Sequence, residues 1–251
     1  MDINALCGLF NAADKEKWLD AVPLRYSCRQ FQTDTDLELI GALEYDVARL
    51  SVEGARIVLA QRAPDSKLLF PIPFVSSFSG VTRYAMVIAD RSVPLSALLS
   101  GLIGEAFVLA CTQAGVSTCW VAGNFKRSAC DVSLKTHERI LAVIPFGLAE
   151  DSTFARKRKP LNLLCKNDPA AWPLWAYQAA EAVRNAPSAM NRQPWRFDFT
   201  GSTLRVDFSS SDSLDTGIAL MHLFCALHSE CCGYSFDQKH RTLLIFRKEE
   251  K

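Results

Sequence analysis

Hydrophobic and polar positions repeat along this chain with two different periods, which predict both helices and strands. Apolar residues at helical spacing fit five segments: Lys15 to Leu24, Asp36 to Leu50, Leu95 to Ala114, Trp172 to Asn185 and Leu214 to Glu230. Alternating or β-branched runs fit six strands: Arg56 to Ala60, Arg83 to Ala89, Arg139 to Leu148, Trp195 to Phe199, Leu204 to Phe208 and Thr242 to Arg247. Because the strands do not alternate strictly with helices, we expect an α+β fold.

The longest apolar run, Pro94 to Val116, contains a single charged residue, Glu105. Its length is just sufficient to span a bilayer. However, glycines, Thr112 and Gln113 dilute the run, and basic residues do not flank it closely on both sides. We therefore predict a helix buried inside a soluble fold, with no membrane partner.

A polar, basic and proline-bearing stretch from Glu150 to Pro173 is the one plausible linker. It divides the chain into residues 1–150 and 151–251. The two parts resemble each other weakly, since each has a long apolar helix followed by an aromatic-bearing strand, Ser117 to Trp120 and Cys232 to Phe236. The pattern alone leaves open whether the chain is an internal duplication.

Charge and cysteine content narrow the class of protein. A formal net charge of +1 gives no reason to expect nucleic acid or an anionic membrane as a partner. The nine cysteines are odd in number and spread along the chain, and no secretory signal is recognisable before them. We expect mostly buried free thiols and a cytoplasmic, reducing environment.

Two basic segments are candidate phosphate sites. In Arg25-Tyr26-Ser27-Cys28-Arg29, two guanidinium groups flank a hydroxyl, which suits a bound phosphate. A second cluster runs from Arg156 to Pro160 and includes Arg158. Either segment could instead be a solvated basic turn.

Two further segments favour a planar ligand. After the apolar helix, Ala122-Gly123-Asn124 would let the backbone approach a flat ring closely and direct an N–H group at it. Ala186-Pro187-Ser188-Ala189-Met190-Asn191-Arg192-Gln193-Pro194-Trp195 joins a predicted helix to a predicted strand and carries short polar groups between two prolines. The alternative for Gly123 is a strand end with a permissive glycine.

A possible metal site at His222-x-x-Cys225-x-x-His228-x-x-Cys231 is rejected. Each step of three residues advances about 300° around a helix, so the first and last side chains lie on opposite faces. They cannot converge on one tetrahedral ion. We predict no metal site.

Taken together, these motifs resemble the nitroreductase superfamily. The segment Ala186 to Trp195 matches its flavin-binding pattern A-P-S-x-x-N-x-Q-P-W. Arg25-x-Ser27-x-Arg29-x-Phe31 resembles its N-terminal phosphate motif, Trp120 to Phe125 the segment that faces flavin N5, and Arg156-x-Arg158-x-Pro160 its late basic motif. The resemblance implies that FMN is bound by Arg25, Tyr26, Ser27, Arg29, Ala122, Gly123, Asn124, Arg156, Arg158, Pro187, Ser188, Ala189 and Asn191.

The spacing of these motifs resembles one branch of the superfamily. In ordinary members the N-terminal phosphate motif and the proline-rich motif lie close together in the sequence, and two identical chains complete each other's sites. Here the two motifs are far apart, and each is present once. This is similar to the single-chain branch of the TM nitroreductase type, as is Asp215-Thr216-Gly217-Ile218-Ala219-x-x-His222. The resemblance implies two degenerate halves that form an intramolecular pseudo-dimer, a monomer with one FMN per chain.

The implied activity is oxidoreduction by ping-pong hydride transfer, from NADH or NADPH through FMN to an electron-poor small molecule such as a nitroaromatic or a quinone. The flavin would carry the chemistry, so no catalytic side chain is predicted. A flavin-binding redox sensor or carrier without turnover is the alternative, since Cys28 and Cys119 lie within or beside the motifs. A scaffold that has lost its flavin is a third possibility.

Overall fold

The protein is described from a computed structural model that covers residues 2–33, 47, 49–62, 68–70, 77–151, 157–227 and 232–248. Within this part there are five α-helices: α1 (Ile3–Cys7), α2 (Ala12–Ala21), α3 (Ser96–Gln113), α4 (Leu174–Asn185) and α5 (Leu214–Ala226). Its eight strands are β1 (Ala55–Gln61), β2 (Arg83–Asp90), β3 (Ser117–Thr118), β4 (Glu138–Gly147), β5 (Trp195–Thr200), β6 (Thr203–Phe208), β7 (Cys232–Asp237) and β8 (Thr242–Arg247). The predicted α+β class is confirmed.

The strands form two antiparallel four-stranded sheets with the same connectivity. The strand orders are β1-β2-β4-β3 and β5-β6-β8-β7. Along the chain, the first two strands of each sheet are followed by a long helix and then by the other two strands. Register is set by pairs such as Ala55 with Ala89 in the first sheet and Trp195 with Phe208 in the second.

All residues of β2 except Asp90 are buried, which explains the unbroken run of mainly apolar residues from Tyr84 to Ala89. Ala85 and Val87 belong to the main core, which includes α3. Tyr84, Met86 and Ile88 belong to a second, smaller core on the opposite face. A strand covered on both faces does not need the alternation of an exposed sheet.

Helix α3 is apolar on all sides because it is a core helix. It is long and apolar enough to cross a membrane, but 83% of it is buried inside the fold. Glycines bring it unusually close to α5: a Cβ on Gly217 would lie 1.9 Å from the carbonyl oxygen of Leu98, and one on Gly101 would lie 2.2 Å from that of Leu214. The backbones of the two helices are therefore in direct contact.

The predicted linker is partly built into the second sheet. Leu164 is fully buried, and Cys165 pairs with Phe197 of β5. The Trp172 indole is also buried and donates to the side-chain oxygen of Asn167 at 3.0 Å. Residues 161–173 therefore belong to the packed structure, because their apolar side chains at irregular spacing cover the sheet.

Two other expectations need comment. Most of the predicted helix Asp36 to Leu50 lies outside the described residues, as do His228 and Cys231. Helix α1 was not predicted, because five residues are too few to show a helical period. It is capped by Asp2, whose carboxylate accepts the backbone N–H of Asn4 at 2.9 Å.

Candidate functional site

The first predicted motif lies in an extended segment beside β3. Ser27 pairs in parallel with Thr118, and the Cys28 N–H donates to the carbonyl oxygen of Thr118 at 2.9 Å. Alternate side chains of an extended segment share a face. Arg25, Ser27 and Arg29 are therefore brought to one side of the segment, as the motif spacing requires.

The three motif residues lie near the Cys119 thiol and influence its pKa. Burial raises this pKa to about 11, while the charges of Arg29 and Arg25 and the hydroxyl of Ser27 act in the opposite direction. All three motif residues are thus close enough to act on Cys119, which follows β3. The motif at Arg25 to Arg29 and the ring-facing segment that follows β3 are therefore close together.

This region contains polar atoms that lack a partner. Within the described part of the chain, the buried Nε of Arg29 and the buried Oγ1 of Thr118 have no hydrogen bond. Nearby, Arg25 and Tyr26 line a cleft of about 380 Å³ together with Ser117 and Thr118. Buried polar groups without partners cost free energy, so their presence points to a bound group.

The segment predicted to face a flat ring leaves the sheet at Val121 and ends at an isolated bridge. Val121 pairs with Val143 of β4, and Phe125 pairs with Leu69. Between them, Ala122 and Gly123 are exposed, and a Cβ on Gly123 would meet no atom within 4 Å. The Asn124 carbonyl accepts the N–H of Phe70 at 2.9 Å, which fixes the end of this turn. We call residues 25–29 and 118–124 the first wall of the candidate site.

The proline-rich loop follows α4 directly and has an unusual backbone. Met190, Asn191 and Gln193 have φ values of 52°, 53° and 50°, a conformation that non-glycine residues rarely adopt. The loop is held by its own polar groups, since the Ser188 hydroxyl accepts the N–H of Gln193 at 2.8 Å. Pro187 is buried, whereas Ala189 and Met190 are exposed.

Arg158 of the late basic motif holds this loop. Its guanidinium donates to the side-chain oxygen of Asn191 at 3.0 Å and to the carbonyl oxygen of Asn185 at 3.1 Å. In return, the Asn191 amide donates to the carbonyl oxygen of Lys157 at 2.9 Å. The late basic motif and the proline-rich loop are therefore in contact. We call residues 157–159 and 186–193 the second wall of the candidate site. Arg156 lies outside the described residues.

Two residues that were quoted only as parts of family motifs, without a role at the site, hold the shape of the second wall. Gln193 is 1% exposed, and its side-chain oxygen accepts the N–H of Lys159 at 3.1 Å. Asp215, in the first turn of α5, accepts the N–H of Ala189 at 3.0 Å. Both serve the shape of the loop, and no spacing in the sequence reveals such a contact.

A buried polar cluster connects the first wall to α4, the helix that precedes the second wall. The fully buried carboxylate of Glu105 accepts from the Trp120 indole at 2.7 Å and lies 2.8 Å from His222 Nε2 and 3.9 Å from Arg25 Nε. His222 Nδ1 lies 3.0 Å from the carbonyl oxygen of Ala182, one helical turn before Asn185. The sequence offered a signal for Glu105, the single charge in a long apolar run.

Chain length also keeps the walls near each other. The Glu150 N–H donates to the carbonyl oxygen of Gln30, next to the first wall, at 3.0 Å. Asp151 is the next residue along the chain. Lys157 already belongs to the second wall. Six residue steps join Asp151 to Lys157, so they lie at most about 22 Å apart.

Helices combined with two antiparallel sheets of this connectivity are consistent with the nitroreductase fold. A family model described as "Putative TM nitroreductase" matches residues 17–227. The chain belongs to this family. The predicted resemblance is thereby confirmed.

Solved structures are similar to different extents. A putative nitroreductase from Thermotoga maritima is 24% identical, with a TM-score of 0.64, over 92% of this chain and 94% of that one. A nitroreductase family protein from Streptococcus pneumoniae is 13% identical, with a TM-score of 0.46, over 60% of this chain and 99% of that one. A nitroreductase with bound FMN from Desulfitobacterium hafniense is 16% identical, with a TM-score of 0.44, over 57% of this chain and 94% of that one. No curated protein matches the chain by sequence.

Proposed function

We propose that this protein is an FMN-dependent oxidoreductase that passes electrons from NADH or NADPH to an electron-poor small molecule such as a nitroaromatic or a quinone. One observation carries the proposal. Partnerless buried polar atoms, Arg29 Nε and Thr118 Oγ1, lie on the same wall as the open side of Gly123. Hydrogen-bonding groups on the same wall as an open glycine backbone fit a ligand with a phosphate and a planar ring.

Each motif would hold a different part of FMN. Arg25, Tyr26, Ser27 and Arg29, with Arg156 and Arg158, would bind the phosphate and the polar edge of the ring. A backbone N–H at Ala122, Gly123 or Asn124 would donate to ring nitrogen N5. Pro187, Ser188, Ala189 and Asn191 would cover the ring from the second wall.

The bound flavin would supply the redox chemistry, accepting a hydride from the nicotinamide and returning two electrons to the second substrate. The side chains need only bind, orient and shield it from water. No general acid or base is therefore assigned.

We further propose that the two halves form an intramolecular pseudo-dimer and that the protein is a cytoplasmic monomer with one flavin site. The identical connectivity of the two sheets supports duplication. Each wall contributes different motifs, so one complete set makes one site. The eight cysteines in the described part of the chain are free, which agrees with a reducing environment.

The absorbance spectrum of the purified protein, followed by anaerobic mixing with NADH or NADPH, tests the proposal. We expect a yellow protein with one FMN per chain whose visible band bleaches promptly with one of the nicotinamides. A yellow protein that neither nicotinamide bleaches would be a flavin carrier. A colourless protein that takes up no FMN would refute flavin binding, and a ratio near two would refute the single site.

Replacing Arg29 with Ala tests the phosphate site directly. Because Arg29 is only partly buried, we expect the variant to fold but to bind FMN at least tenfold more weakly, the effect of losing one charged hydrogen bond of roughly 1.5–3 kcal/mol. Arg247→Ala, at the exposed end of β8, is the matched control and should bind FMN normally. Equal affinities in the two variants would show that the phosphate lies elsewhere.

The thiol-based alternative gains no support from the structure. Cys28 and Cys119 are both buried, and burial raises the pKa of each thiol. A thiol with a raised pKa contains little of the reactive thiolate at neutral pH.

A further inference from the structure

Glu105 is fully buried, forms hydrogen bonds with Trp120 and His222, and lies within ion-pair distance of Arg25. Its Oε2 accepts from the indole of Trp120, which precedes the ring-facing turn. Its Oε1 faces both His222 of α5 and Arg25 of the first motif. Glu105 and His222 are 0% exposed and Arg25 is 2% exposed, so the cluster is shielded from solvent.

The hydrogen bonds of His222 show where its protons lie. The carbonyl oxygen of Ala182 can only accept, so His222 Nδ1 carries a proton and donates to it. At 2.8 Å from Oε1 of Glu105, the Nε2 atom shares one further proton with the carboxylate. The second half of the chain thus fixes Glu105 through α4 and α5.

The local sequence makes room for this cluster. A Cβ on Gly104 would lie 2.4 Å from the Trp120 ring, so only a glycine there lets the indole reach the neighbouring carboxylate. Burying a charged network is weak evidence of stabilisation, since apolar residues of similar volume often do as well. The cost of this network therefore suggests that it has a purpose beyond holding the helices together.

We propose that Glu105 is a positioning residue that orients the Arg25 guanidinium toward the FMN phosphate, with His222 holding Glu105 in place. The inference rests on the proposed function, because it assigns Arg25 to the phosphate. It makes flavin affinity depend on a contact between the two halves of the chain, remote from the ligand itself.

Glu105→Gln separates this role from general packing. The amide oxygen can still accept from Trp120, and the amide NH₂ can still donate to His222 Nε2. That NH₂ group then faces Arg25, donor against donor, so the Arg25 contact alone is lost. The variant should fold and keep the cluster while releasing the arginine.

The experiment measures the affinities of the apoprotein for FMN and for riboflavin, which lacks the phosphate. We expect Glu105→Gln to weaken FMN binding about tenfold, the effect of misplacing one charged hydrogen bond, and to leave riboflavin binding within about twofold. Glu138→Gln is the matched control. It breaks a similar pair, with Arg56 at 2.7 Å, at the end of β4 away from β3, and it should change neither affinity.

The outcomes are distinguishable. A ratio of FMN to riboflavin affinity in Glu105→Gln that equals or exceeds that of the unmodified protein overturns the inference, and so does an equal loss for both flavins, which marks a purely structural role. An unmodified protein that binds neither flavin refutes the proposed function itself, and the inference with it. Should Glu105→Gln not fold, Glu105→Asp retains the charge but withdraws it from Arg25, and its ratio must fall likewise.

Discussion

The first wall contains buried polar atoms without hydrogen bonds, whereas the polar side chains of the second wall form hydrogen bonds within that wall. Arg29 Nε and Thr118 Oγ1 have no hydrogen bond within the described residues. On the second wall, Asn191 bonds both Arg158 and the carbonyl of Lys157, and Ser188 accepts the N–H of Gln193. The first wall thus has polar atoms that a ligand could pair with, while the polar side chains of the second wall stabilise its own conformation.

The backbone agrees with this difference. The second wall has three non-glycine residues with positive φ within four positions, Met190, Asn191 and Gln193. Each costs about 1 kcal/mol or more, and such strain persists only when surrounding contacts over-determine the conformation. Residues that the family resemblance assigns to ligand binding, Arg158 and Asn191, also supply those contacts.

The largest expected effect comes from forcing the two halves apart. A Cβ in Gly217→Ala would lie 1.9 Å from the Leu98 carbonyl oxygen and 2.6 Å from the Leu102 nitrogen, both backbone atoms. We expect a loss of about 3 kcal/mol or more in the free energy of unfolding, measured by urea titration. The higher helix propensity of alanine offsets only about 1 kcal/mol.

Gly8→Ala is the matched control, because its nearest neighbour would lie at 3.4 Å. Its unfolding midpoint should stay close to that of the unmodified protein. A Gly217→Ala variant as stable as this control would show that the contact between α3 and α5 is looser than described.

A smaller effect, confined to the ligand, is expected on the first wall. Gly123→Ala adds a Cβ that meets nothing within 4 Å, so the free energy of unfolding should change by no more than about 0.5 kcal/mol. The same Cβ would occupy the space where the ring approaches, and FMN affinity should fall at least tenfold, or about 1.4 kcal/mol. Normal FMN binding, measured by flavin fluorescence, would place the ring elsewhere.

On the second wall, Asn191→Ala should alter shape and affinity together. It removes the bonds to Arg158 and Lys157 and leaves a less suitable residue at φ 53°. We expect about 1–2 kcal/mol less stability and a several-fold lower FMN affinity. Asn191→Gly accepts the positive φ but also lacks the bonds. If it behaves like the unmodified protein, the side-chain bonds contribute nothing.

The smallest effect concerns the thiols of the first wall. Burial raises the pKa of Cys119 to about 11 from an ordinary value of 9.0, so almost no thiolate is present at pH 8. Iodoacetamide should label Cys119 in the unfolded protein but not in the folded one, with a rate that rises as the pH approaches 11. Peptide mass spectrometry measures this, and rapid labelling of folded protein at pH 8 would revive the sensor hypothesis.

Most of the helices of ten or more residues and the strands of six or more in the described residues were predicted from their periodicity, because buried faces impose their period on the sequence. Strand β7 was recognised only from its aromatic residues. Helix α3 and strand β2 show the limit of that rule: each is covered on all sides, so only an unbroken apolar run marks them. The two-residue strand β3 is too short to have a period. Its role as the neighbour of Ser27 comes from tertiary pairing alone.

The site was predictable where residues act through a local motif and not where they act through space. The motif residues of both walls were identified from the sequence, and their binding roles remain predictions. In the sequence, Glu105 was a lone charge in an apolar run, and His222 belonged to an unsuitable metal pattern and to a family motif; neither was assigned a partner. Residues separated by 117 positions become partners only when α3 and α5 pack together, and no single sequence reveals such a pairing.

The glycine contact between α3 and α5 also bears on how the protein behaves on dilution. Both helices belong to one chain, so their contact does not depend on the concentration of protein. A contact between two separate subunits would be lost below its dissociation constant. The packing of α3 against α5 has no such limit.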